Sequence, residues 1–155
     1  MKTTARISRL GFTVLLISVI GFSCSNNSDD ATPVNSASSV VNIVNNGSWH
    51  ITYYFDTDHE ETAAYTGYNF VFGSGNSLTA SNGTNTYTGS WSVTDSDSDD
   101  DELNDLDFNI GFLSPAQFAE LTDDWEIIER SATVIKLRDV SGGGGGTDLL
   151  TFTKN

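Results

Sequence analysis

Residues 68–93 read YNFVFGSGNSLTASNGTNTYTGSWSV, and this stretch decides the fold class. Tyr68, Phe70 and Phe72 alternate with Asn69 and Val71, so one face of an extended segment is aromatic. Ser74-Gly75-Asn76 then supplies a tight turn into a short strand around Leu78-Thr79-Ala80. Asn82-Gly83 is a strong hairpin signal, because both residues tolerate the positive φ of a type I′ turn. The next strand sets Tyr87, Gly89, Trp91 and Val93 on one face against Thr88, Ser90 and Ser92 on the other. Three strands joined by turns, with no room for a crossover helix, make an antiparallel meander.

The same period of two extends in both directions. Upstream, Trp49, Ile51, Tyr53 and Phe55 alternate with His50, Thr52 and Tyr54. Downstream, Leu106, Phe108 and Ile110 alternate with Asp107 and Asn109, and strands follow at 125–129, 133–139 and 149–153. One helix interrupts them: Ser114 is placed to cap it, Pro115 to start it and Gln117 to complete a capping box, with Phe118 and Leu121 on one face. A second helical turn is expected over residues 40–44. Eight short strands in sequence order predict an all-β, eight-stranded antiparallel up-and-down barrel with one short helix. A two-sheet β-sandwich is the alternative.

Ahead of this domain the composition changes twice. Lys2, Arg6 and Arg9 precede an apolar run from Leu10 to Phe22, which is too short for the ~20 residues that span a bilayer. Residues 1–23 therefore read as a secretion signal. Cys24 is the only cysteine, which excludes an internal disulfide. Its setting, after Gly21-Phe22-Ser23, resembles a bacterial lipobox, and that resemblance implies lipid attachment at Cys24. Residues 24–39 are mostly Ser, Asn, Asp and Ala and read as a flexible tether, leaving residues 40–155 as one domain. Ser28-Asp29-Asp30 resembles the acidic tethers that route lipoproteins of Bacteroidota to the outer face of the outer membrane. The expected place is thus the cell envelope, with the acyl chains as the membrane partner.

Charge excludes one class of partner. The chain has 7 basic and 21 acidic residues; loss of the three basic residues of the leader leaves four against 21, a net −17. Nucleic-acid phosphates repel such a surface.

Gly47-Ser48-Trp49 opens the first strand and resembles the Gly-x-Trp signature of lipocalins. Thr88-Gly89-Ser90-Trp91-Ser92, the helix near Pro115, Asp124-Trp125-Glu126-Ile127-Ile128 and the closing Ile135–Val140 and Leu150–Lys154 segments extend the likeness. Together they resemble the short lipocalin-like lipoproteins of Bacteroidota. The resemblance implies a barrel, a small apolar or amphipathic ligand, and a helix gating one end. Lys154 or Arg138 is the cation available to stack on the tryptophan. The residues expected to line a cavity are Trp49, Tyr53, Phe55, Phe70, Phe72, Trp91, Phe108, Trp125 and Phe152. The competing expectation is that these rings fill the barrel, since eight strands enclose side chains or one small ligand. The chain would then be an interaction module working through its loops and acidic surface.

Other motifs carry less. Asp95, Asp97 and Asp99 have the spacing of a calcium loop, but Asp100 stands where the sharp turn needs Gly and Leu106 where a bidentate Glu is needed. Residues 143–151 fit one β-roll nonapeptide, a unit that requires tandem copies. His50 and His59 have no metal-ligand spacing, and no Gly-x-Ser-x-Gly elbow is present. The expectation is a monomer that is not an enzyme and needs no cofactor or metal.

Overall fold

The structure, a computed structural model, describes residues 36–95, 106–141 and 145–155. Cys24, most of the acidic run that begins at Asp95, and residues 142–144 of the glycine run lie outside the described residues. A helix α1 (Ala37–Val44) precedes β1 (Trp49–Asp56), β2 (His59–Glu60) and a 3-10 turn (Thr62–Tyr65). Strands β3 (Asn69–Phe72), β4 (Ser77–Ser81), β5 (Thr86–Asp95) and β6 (Leu106–Gly111) follow. Helix α2 (Ala116–Ala119) leads to β7 (Asp123–Arg130), β8 (Val134–Val140) and β9 (Thr147–Lys154).

From β3 to β9 each strand pairs antiparallel with the next in sequence, while β1 pairs with β2, β3 and β9. The β1–β9 ladder, from Trp49↔Lys154 to Phe55↔Leu149, closes eight strands into a barrel and, among the described residues, leaves no second sheet. The ninth strand, β2, is a two-residue return paired only with the end of β1. The seam between β1 and β3 is narrow: Trp49↔Phe70 is its only paired position. Beyond it, the 3-10 turn lies against β1, with Glu61 N–H donating to the Tyr54 carbonyl.

Two strands break the alternation. In β1, Ile51 faces Phe152 and Tyr53 faces Thr151, so Thr52 is an extra residue. In β7, Ile127 faces Leu137 and Glu129 faces Lys136, so Ile128 is extra. Each bulge reverses which side of the sheet the following residues occupy.

The turns also differ from expectation in detail. Consecutive positive φ values, the mark of a primed hairpin turn, occur at Gly75 (68°) and Asn76 (62°). At Asn82-Gly83 the link is longer, with Ser81 paired to Thr86. There the Asn82 side-chain oxygen accepts from the N–H groups of Thr84 and Asn85, an arrangement that replaces the two-residue turn. Helix α1 begins at Ala37, inside the stretch expected to be tether, because Ser36 Oγ accepts from Ser39 N–H as its cap. Helix α2 starts one residue later than the capping box implies. Pro115 is its N-cap in extended conformation, and no side chain caps it.

Candidate functional site

Seven of the nine aromatic residues expected to face inward do so. Trp49, Phe70, Phe72, Trp91, Phe108, Trp125 and Phe152 are all buried, at 5% exposure or less. Five of them, Phe70, Phe72, Trp91, Phe108 and Phe152, form one chain of ring contacts. Phe72 meets Trp91, Phe108 and Phe152 edge-on at 5.3–5.4 Å between ring centres, and Phe70 meets Phe152 at 5.3 Å. Such edge-to-face pairs contribute beyond the area they bury.

Further rings, from α2, the 3-10 turn and the strand ends, share the interior. Phe118, projected from α2, is fully buried, with Tyr87, Tyr68, Phe112, Tyr65 and Phe70 at 4.8–6.1 Å around it. Tyr54 meets Tyr65 at 5.5 Å and Trp125 at 6.5 Å. Apart from tyrosine hydroxyls, no polar or charged residue is buried among the described residues.

Both ends of the barrel are closed by specific contacts. Where β1 begins, Trp49 Nε1 donates to the Val44 carbonyl at 2.9 Å, tying the strand to the last turn of α1. Lys154, not Arg138, supplies the cation over this tryptophan, with Nζ 5.6 Å from the ring centre. Gly47 suits this position by its φ of +107°, and a Cβ there would lie 2.8 Å from Lys154 Cε, so the flexible lysine stem would have to shift. At the other end α2 is held down rather than hinged. Tyr65 OH donates to the Gln117 carbonyl at 2.7 Å and Tyr54 OH to the Glu120 carbonyl at 3.2 Å. Gln117 Nε2 donates to the Ala64 carbonyl, and Trp125 Nε1 to the Leu121 carbonyl.

Tyr53 and Phe55 are not part of this interior. The extra Thr52 turns Tyr54 inward, at 1% exposure, and leaves Tyr53 and Phe55 half-buried on the outer face. Their rings lie parallel within 8° at 6.5 Å. Tyr53 borders a shallow groove of about 310 Å³ with Ile128, Lys136, Leu149 and Thr151. A smaller cavity, about 180 Å³, lies where α1 and the Gly73–Asn76 turn meet Trp91. Both open outward.

The titratable groups are arranged for surface chemistry. His59 sits between Asp58 and Glu61, at 2.6 and 2.7 Å, and these hydrogen bonds raise its pKa above the usual histidine value. Burial, with Asp56 and then other nearby carboxylates, pushes the Tyr54 hydroxyl upward, and burial does the same to Tyr65. Burial, followed by Glu61, raises Glu120. Lys136 pairs with Glu129 and Arg138 with Glu126 across the β7–β8 ladder. Among the described residues no three His, Cys, Asp or Glu side chains converge as metal ligands. No helix among them is long and apolar enough to cross a membrane.

No family model matches the sequence, and no curated protein matches it. Among solved structures, a DUF4847 family protein from Bacteroides vulgatus is similar, at 19% identity over 75% of this chain and 97% of that one, with a TM-score of 0.48.

Proposed function

We propose that the chain is a lipid-anchored, non-catalytic protein of the cell envelope whose solid barrel acts through its outer surface on another envelope protein. The packed interior carries this reading. Rings from six barrel strands and α2 occupy the space a small ligand would need, and an eight-stranded barrel has room for one or the other. The fixed α2 supports it too, since a gate would require four hydrogen bonds and the Phe118 contacts to be released together. The anchor rests on Cys24 and its leader, and the strong negative charge favours a partner with basic loops.

Native mass spectrometry of the full chain taken from its own envelope, before and after organic extraction, tests the solid core. A single unchanged mass, that of the acylated chain, is expected. A discrete small molecule removed by extraction would overturn the reading in favour of a ligand carrier. Cross-linking in intact cells reads the second half of the proposal, with one recurrent protein partner expected.

A further inference from the structure

The outer face of β1, β9, β8 and β7 differs from the rest of the surface in two independent ways. The first is apolar content. Cross-strand pairing sets Tyr53, Thr151 and Lys136 in one row and Phe55, Leu149 and Arg138 in the next. The bulge in β1 turns Tyr53 and Phe55 to this side, Ile128 lies on it by alternation with buried Trp125 and Ile127, and Val140, 55% exposed, continues it. Ile128 is 43% exposed and borders the same groove as Tyr53.

The second is charge. After residue 23 the sequence has four basic residues, Arg130, Lys136, Arg138 and Lys154, and all four lie on β7, β8 and β9. Lys136 and Arg138 stand in the rows just described, each paired with a glutamate, while Arg130 and Lys154 pair with the core positions Ile135 and Trp49. These four strands carry seven acidic residues beside the four basic ones, whereas the rest of the chain after residue 23 has acidic residues alone.

From these two observations we infer that this face is the side the barrel turns toward the bilayer holding its anchor. The inference rests on the lipid anchor at Cys24. A phosphate-bearing surface repels an acidic domain, and the repulsion is weakest where the cations are concentrated. Half-buried aromatic rings beside long cationic side chains are also the chemistry that settles at a headgroup boundary, with the apolar part inward and the charged tip in water. The tether permits the contact. Eleven residues separate Cys24 from Ser36, a span of up to about 40 Å, against a radius of gyration of about 14 Å for a domain of this size. The opposite side, with the outer faces of β3 to β6, then points away from the membrane and is left for a protein partner.

The experiment uses the acylated full chain in vesicles of phosphatidylethanolamine and phosphatidylglycerol. Acylation blocks the thiol of Cys24, so Ile128→Cys or Val71→Cys introduces one free thiol for an environment-sensitive dye. The two sites are matched, 43% and 45% exposed, and Val71 lies on the outer face of β3. A severalfold emission rise with a blue shift at 128, and none at 71, is expected. Equal responses at both sites, no response at either, or a response at 71 alone would overturn the inference. Flotation of the chain with the vesicles, compared with Cys24→Ala, reads the anchor separately. A chain that floats no better than that variant would remove the anchor and this inference with it, whereas a floating chain silent at 128 would remove the inference alone.

Discussion

Gly47 and Lys154 meet closely where β1 begins, because a Cβ at 47 would press against the lysine stem. Gly47→Ala adds both that clash and a positive φ, and should destabilise by more than about 1 kcal/mol in urea unfolding. The first strand also shows where the sequence stops being legible. The Trp49–Phe55 segment contains Tyr53 and Tyr54 side by side, so a strand that keeps strict alternation and one that skips Thr52 bury the same type of residue. Composition cannot choose between them; the pairing with β9 does. The choice is testable. Tyr54→Thr removes a buried ring and its bond to Glu120 and should cost about 3 kcal/mol or more. Tyr53→Thr keeps the strand and should cost under about 1 kcal/mol, and reversal of that order would move the bulge.

Strands without a bulge were readable in full. In β6 and β8 the apolar residues Leu106, Phe108 and Ile110, then Ile135 and Leu137, point inward as their spacing predicts. Helices were less so. The apolar pair Phe118 and Leu121 correctly located α2, yet Ser114 does not cap it, since the chain is still extended at Pro115. Its stability comes from tertiary contacts, as a four-residue helix has too few internal bonds to persist alone. Phe118→Ala should therefore act on the whole core, costing about 3–5 kcal/mol by thermal or urea unfolding. Which inward-facing rings leave a cavity and which fill it was not legible at all. That depends on the rings arriving from α2 and the 3-10 turn, whose positions no strand periodicity encodes.

For the molecule as a whole, charge sets the response to pH. Burial is the first cause holding Asp107, Glu120 and Asp123 above their ordinary values, with neighbouring carboxylates adding to it. The folded state thus binds these protons more tightly than the unfolded one, and stability falls as pH rises from the ordinary carboxylate values through the raised ones. His59 has the same sign: its contribution is complete below about 6.5 and is lost as pH passes its raised folded value. The thermal midpoint should be higher at pH 5 than at pH 8, and added salt should raise the pH 8 midpoint by screening the net negative charge. A midpoint that fell on acidification across this range would contradict the assignment. Closure by β1 and β9 has a further consequence, for kinetics. Tyr53 and Thr151 are partners almost a hundred positions apart, so contact order is high and collapse cannot be sealed locally. A chain emerging from its amino end carries β1 as an unpaired edge until residues 147–154 arrive. Removing those eight residues should leave two open edges, on β1 and β8, and convert a folding domain into one that self-associates.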